Sequence, residues 1–349
     1  MRQRLLTLLV FCLVPVVVVA QKPPKNSPSD PFVPAIAYIQ VVNDGARDLM
    51  LMNADGTQVM MLLAGSSTVQ HGAPSFSPDG SRIVFRSNLS GAGLYVIPTD
   101  GSAAPRKLIE LRKDHGWAVP VWSPDGRFIL YSDSSGRPAD FSTADDYDLY
   151  LIEVDADANL VAGSFTALTG TTDKVEYAPA WSQDGTRLAA NVWISSGEQQ
   201  IFVFNFDEVS RTITSSESLT ASIGKMNIFG RRPQWNKTSA LPDVVVFGAT
   251  LPTDTTSYDL WYVEVDSRRA GRLLQIENNY ETTPSWSPDD MRVAFINQAT
   301  KGKSHDVSIL MNARELFLGS ASSPSIQRTA GKTGSKVTDL GDVDWMPVP

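Results

Sequence analysis

Residues able to do chemistry recur at one kind of place in this 349-residue chain, just ahead of a Pro-x-aromatic triplet. His71 precedes Pro74-Ser75-Phe76, Asp114 and His115 precede Pro120-Val121-Trp122, and Glu176 and Tyr177 precede Pro179-Ala180-Trp181. Arg231 and Arg232 precede Pro233-Gln234-Trp235, and Tyr280 and Glu281 precede Pro284-Ser285-Trp286. Asp339 and Asp342 precede the C-terminal Trp345. Imidazole and carboxylate together can hold a divalent ion, with His71 and His115 as ligands and Glu176 or Glu281 as a base. The same mixture also makes a solvated polar rim that meets a partner, and no short ligand spacing favours the metal.

A second acidic feature is the stretch 133–148, whose five aspartates would suit Ca²⁺, a basic partner segment, or simply a solvated loop. Asp155-Ala156-Asp157-Ala158-Asn159 imitates the start of a calcium loop but lacks its Gly and distal Glu, which leaves a hairpin turn. Other enzyme signatures are missing: there is no Gly-x-Ser-x-Gly, phosphate loop, dinucleotide fingerprint or His-Glu-x-x-His. With 30 Lys and Arg against 38 Asp and Glu, the net charge of −8 argues against nucleic acid or an anionic membrane surface as partner.

The N-terminus carries Arg2 and Arg4, an apolar run from Leu5 to Val19 broken by Pro15, then Ala20. Residues 1–20 therefore read as a secretory signal peptide; an uncleaved anchor is the competing reading, against which Pro15 and a run short of the ~20 residues that span a bilayer both count. The lone Cys12 would leave with it, so the mature chain would have neither disulfide nor thiol chemistry. Residues 21–34, rich in Lys, Pro, Ser and Asn, read as a flexible linker, and residues 35–349 as one folded unit.

That unit is built from repeats. Pro120-Val121-Trp122-Ser123-Pro124-Asp125-Gly126, followed by Phe128 to Tyr131, is strand, turn and strand: Pro presets φ at the second turn position and Gly accepts φ > 0. Sister copies start at Pro74, Pro179 and Pro284, at intervals of about fifty residues. The copy at Pro233 replaces the turn by the longer 236–243. Each copy continues into a β-branched and aromatic run such as Gly93–Ile97, Asp148–Ile152 or Asp259–Val263, then a weaker fourth strand near Leu108, Leu168, Leu219 or Leu274. In the last copy Glu315 to Leu318 is the expected outer strand.

Four antiparallel strands per copy make the blade of a β-propeller. The folded start, Ile36–Ile39 and Asp48–Met52, has no first strand ahead of it, and Asp342–Pro347 is a first strand with nothing after it. Joined, they complete one blade. The expected fold is a six-bladed, all-β propeller whose ring is closed by the strand around Trp345, with Phe76, Trp122, Trp181, Trp235, Trp286 and Trp345 as wedges between blades.

These repeats resemble the TolB-type propeller repeat, a relative of the WD repeat, from Ala35 to Trp345. The resemblance implies a periplasmic or secreted protein that docks a protein or peptide of the cell envelope at its channel mouth. The propeller is also similar to that of prolyl oligopeptidase-type peptidases, whose hydrolase domain has no counterpart in these residues. The leading expectation is thus a monomeric, non-enzymatic scaffold with no cofactor. The alternative is a metal-dependent enzyme acting on a saccharide or other small substrate, holding Ca²⁺ or another divalent ion.

Overall fold

A computed structural model of the chain describes residues 19–21, 32–42, 45–56, 58–112, 118–138, 145–195, 198–251, 253, 257–299, 305–329 and 339–347. Six antiparallel blades form the ring, and in blades 2 to 6 the strands run in chain order from first to fourth. Blade 2 is typical, with His71–Phe76, Arg82–Ser87, Gly93–Pro98 and Arg106–Glu110. Blade 1 joins the two ends of the chain: Asp339–Trp345 pairs with Ile36–Val41, followed by Arg47–Met52 and Val59–Leu63. The first strands of successive blades touch one another all the way round, so the ring is closed.

Each seam between blades holds a hydrophobic cluster built on one of the six aromatics, and a smaller cluster around Val119, Val175 and Tyr177 has none of them. Phe76 packs among Ile39, Leu51 and Phe85 between blades 1 and 2, and Trp345 among Ile36, Ile296 and Ile309 between blades 6 and 1. Trp122, Trp181, Trp235 and Trp286 occupy the four seams between them. All six are under a tenth exposed, and burying each contributes about 2–3 kcal/mol. The wedge assignment therefore holds at every blade.

The Ser-Pro-Asp-Gly turns explain themselves in hydrogen bonds. Ser77 Oγ donates to Asp79, Ser123 Oγ to Asp125, Ser182 Oγ to Asp184 and Ser287 Oγ to Asp289. The glycine that follows is left-handed in three of them, at φ 68°, 74° and 72°. Asp290 takes that place in blade 6 at φ 56°, and its buried carboxylate accepts from Lys237 N, Thr238 N and Thr238 Oγ1 of blade 5. Asp290 thereby holds the one hairpin that lost the repeat's own turn.

Two expectations change. Glu315 to Leu318 belongs to a short α-helix, Ala313–Leu318, and not to a strand; the outer strand of blade 6 is Ser325–Arg328. Ala, Arg, Leu and Glu are strong helix formers, Gly319 at φ 72° ends the helix, and Phe317 packs edge-on against Tyr262 of blade 5. The second change is in 133–148. The second and third strands of blade 3 extend as a hairpin through Ser134↔Tyr147, and Asp133, Asp146 and Asp148 are buried instead of solvated; residues 139–144 lie outside the described set. At the N-terminus, Val19–Gln21 adds parallel to Ser325–Gln327. The rest of the expected leader and residues 22–31 of the expected linker lie outside the described residues.

Two seams carry buried acids. Glu176 at the start of blade 4's first strand faces Asp148 of blade 3, and Glu281 in blade 6 faces Asp259 of blade 5. Burial first, then the neighbouring aspartate, pushes the Glu176 carboxyl up to about 8 and Glu281 up to about 9; a weak bond from Ile276 N opposes the shift at Glu281. Both are protonated in the folded ring at neutral pH, whereas an unfolded glutamate titrates near 4.3.

The folded ring therefore binds more protons than the unfolded chain between about pH 4.5 and pH 9, and stability falls as pH rises through that window. The hairpin aspartates Asp79, Asp184 and Asp289 act oppositely. Burial raises their carboxyl pKa values, but the Ser and backbone N–H bonds outweigh it and hold them low, so their stabilisation is lost on acidification. Urea unfolding is expected to be hardest near pH 5 and easier at pH 9. Glu281→Gln should flatten that slope and raise stability at pH 9, because the neutral amide needs no proton to stay buried; an unchanged slope would show that Glu281 is ionised in the ring.

Ring closure is also testable. Asp344 is buried, accepts from Phe76 N at 2.9 Å, and stands 3.8 Å from Arg232. Asp344→Ala strands the buried guanidinium and should lower unfolding free energy by about 3–5 kcal/mol, with the double variant Arg232→Met/Asp344→Leu losing less. Chemical denaturation of the three proteins measures this.

Candidate functional site

The first strands run from the end where the predicted site residues lie to the end where the hairpins gather, over about 15 Å. At the hairpin end they enclose a cavity of about 310 Å³ to which every blade contributes. Two rings of positions line it. The residue before the aromatic supplies Ser75, Val121, Ala180, Gln234 and Asp344 in five blades, and the residue two after each aromatic supplies Pro78, Pro124, Gln183, Lys237, Pro288 and Pro347. Phe76, Trp122, Trp181, Trp286 and Trp345 give it aromatic walls.

The polar groups come from blades 5 and 1. Arg232 reaches across the ring to blade 2, where its Nη2 donates to Pro74 O at 2.8 Å. That carbonyl is free because the first strand of blade 2 bulges between Gly72 and Ser75, with Ala73 at φ 50°; the same left-handed step occurs at Ala178 and Thr283. Arg232 also stands beside Asp344, whose Oδ1 accepts from Ser285 Oγ at 3.4 Å. Lys237 is half-buried and, among the described residues, its ammonium has no hydrogen bond or ion pair. Burial pushes its pKa down and Arg232 pushes the same way, while Asp344 and Asp290 pull it up. Within the lining Arg232 and Asp344 offset each other, and Asp290 acts on Lys237 from outside it.

Of the site candidates whose side chains are described, Arg232 alone lines this cavity. His71 is wholly buried at the seam of blades 1 and 2: its Nε2–H donates to Ala64 O at 3.1 Å and its Nδ1 accepts from Ser87 Oγ at 2.9 Å. Burial lowers its pKa most, although Ala64 O and Asp48 favour the charged form, so it is a neutral histidine with both nitrogens engaged. Glu176 and Glu281 are the protonated seam acids, and Tyr177 is buried beside Val175 and Ala178. Tyr280 stacks edge-on with Tyr258 at 5.5 Å. Asp114 and His115 lie outside the described residues, as do the side chains of Arg231, Asp339 and Asp342.

His71, Glu176 and Glu281 thus sit at three different seams. Among the described residues no three His, Asp or Glu side chains converge as a metal-binding group. Sequence reasoning missed Gln234, Lys237 and Asp344. Their signal was departure from the repeat, since Lys237 stands where four other copies have proline.

No helix of the described residues is long and apolar enough to cross a membrane. No protein-family model matches the chain. A stretch of 66 residues, 18% of the chain, is 43% identical to a protein named uncharacterized peptidase YuxL in Bacillus subtilis (strain 168), and it spans 10% of that relative's length. Among solved structures, TolB from Acinetobacter baumannii superposes with a TM-score of 0.61 at 16% identity, over 90% of this chain and 67% of that one. A puromycin-hydrolyzing peptidase of Mycobacterium tuberculosis gives a TM-score of 0.50 at 15% identity, over 79% of this chain and 42% of that one.

The expectation of a non-enzymatic chain is corrected by these peptidase relatives. A propeller sequence without a catalytic signature does not argue against an enzymatic setting, because the fold itself is shared by proteins of different function. In fold, the chain is a TolB-like six-bladed β-propeller.

Proposed function

We propose that this propeller serves an enzymatic reaction on peptides, holding the substrate in the hairpin-end cavity. One observation carries the reading: a cavity of about 310 Å³ on the ring axis, built by all six blades, with aromatic walls and three charged groups. That volume is at the small end of ligand pockets, which run from about 300 to 1,000 Å³, and suits a terminus or a few residues of a chain. The 66-residue likeness to a protein named as a peptidase supports the substrate class. The leader-like residues 1–20 support an exported site of action.

Binding is the task assigned to the cavity, and bond cleavage is not. The hydroxyls of Ser123 and Ser182, which line it, are held by Asp125 and Asp184 of their own turns. A serine committed to a carboxylate in a tight turn is a structural donor and lacks the imidazole that would activate it.

Short peptides titrated into the full chain should change the fluorescence of the tryptophans that wall the cavity, with affinity confirmed by calorimetry. Val121→Trp fills the cavity from the ring of residues preceding the aromatics, and it should weaken peptide binding by about tenfold or more while leaving the unfolding midpoint nearly unchanged. Peptide affinity that survives this substitution would place the ligand elsewhere and end the reading.

A further inference from the structure

We propose that the cavity recognises a single carboxylate, carried by an apolar body, through the ammonium of Lys237. The inference rests on the binding role given to this cavity and adds the chemistry of what is bound.

The argument starts from charge. Arg232 is already engaged, by Pro74 O and by Asp344, whose own carboxylate is satisfied by Phe76 N and Ser285 Oγ. Lys237 is different: it lines the same cavity, and among the described residues its ammonium has no partner. An ammonium half-withdrawn from water attracts an anion more strongly than an exposed one does, because less solvent screens the pair. Asp344 in the same chamber sets the limit. One added negative charge balances Lys237, whereas a dianion such as a phosphate monoester would leave excess charge beside a buried carboxylate. The rest of the lining shapes the body of the ligand: prolines at four of the six blades and five aromatic side chains offer apolar contact, and the Gln183 and Gln234 side chains add neutral polar groups.

Position supports the same conclusion. Lys237 occupies the place two residues after the aromatic, where Pro78, Pro124, Pro288 and Pro347 stand in other blades. A lysine there is not demanded by the turn: the hairpin 236–243 is held by Asn236 Oδ1, which accepts from Val244 N at 2.9 Å, and by Asp290. Both hold it through backbone groups and Thr238, leaving the Lys237 side chain to the cavity.

Two sources of such a carboxylate exist, a free small acid and the C-terminus of a peptide, and the test separates them. The full chain is titrated by calorimetry and tryptophan fluorescence with 3-phenylpropanoate, with its primary amide, and with a short peptide ending in phenylalanine as free acid or as amide. The acid of at least one pair is expected to bind about tenfold or more tightly than its amide; preference in the peptide pair alone identifies a chain terminus, and in the small pair alone a free acid. Lys237→Met should abolish the preference while leaving amide affinity within about twofold, and Lys237→Arg should retain it. Circular dichroism and the urea midpoint establish that both variants fold. Equal affinity for acid and amide would overturn the carboxylate assignment and leave the binding role standing, as would a preference that persists in Lys237→Met. Failure of acids and amides alike to bind would remove both.

Discussion

The carboxylate of Asp344 holds the constraint on which the ring depends. A propeller made from a linear chain has two ends that must meet, and here they meet inside blade 1, where Asp339–Trp345 covers the edge of Ile36–Val41. Left open, that edge would expose a row of unpaired backbone groups in the middle of the ring. Hydrophobic packing of Trp345 contributes to closure but is not specific, since any blade offers a similar seam. Asp344 adds specificity because it bonds the blade on one side through Phe76 N and the blade on the other through Ser285 Oγ, with Arg232 of blade 5 opposite. A buried carboxylate so placed is tolerable in one register only.

Once closure is secured, the two ends of the ring face different electrostatic problems. At the hairpin end hydroxyl and backbone donors keep Asp79, Asp184 and Asp289 ionised, and arginines reach the next blade: Arg127 pairs with Glu208, Arg187 with Asp243 and Asp266, and Arg292 lies over the Trp345 ring. Most of these ion pairs are partly exposed and worth only fractions of a kcal/mol each, so they tune the seams instead of making them. At the opposite end two seams bring carboxyl groups together without a cation strong enough to separate them. There protonation removes the charge, and the ring becomes sensitive to alkali at the end away from its cavity.

The blades were legible because they repeat a turn whose chemistry is local. Pro, Asp and Gly at fixed places state where a strand reverses, and a single aromatic ahead of them states which strand lines the channel; neither depends on distant contacts. The helix at Ala313–Leu318 was hidden because its sequence is short and apolar enough to pass for an edge strand, and only Tyr262 and Phe317 across the seam decide the matter. The site was less legible for a different reason. His71, Glu176 and Glu281 carry chemistry by type, but their surroundings at the seams withdraw it, by engaging both imidazole nitrogens or by protonating the acid. Arg232 was singled out at the far end of its strand, yet a long side chain carries its charge toward the hairpins and across the axis to Pro74.

What distinguishes one blade from the next is then the informative quantity, and two departures turn out to be one device. Blade 5 has Asn236 and Lys237 where blades 2, 3 and 6 have Ser and Pro, and blade 6 has Asp290 where blades 2, 3 and 4 have glycine. Taken singly, each weakens the repeat: the first discards a turn that satisfies its own hydrogen bonds, and the second puts a side chain into a left-handed conformation at a cost of about 1 kcal/mol. Together they repair each other, because the Asp290 carboxylate caps the two backbone N–H groups that the lost turn would leave unpaired. The net change left to the ring is a lysine in place of a proline on the wall of its cavity. A fold that needed only six equivalent wedges would have no use for that exchange, and the function of the cavity is best sought in the charge it adds.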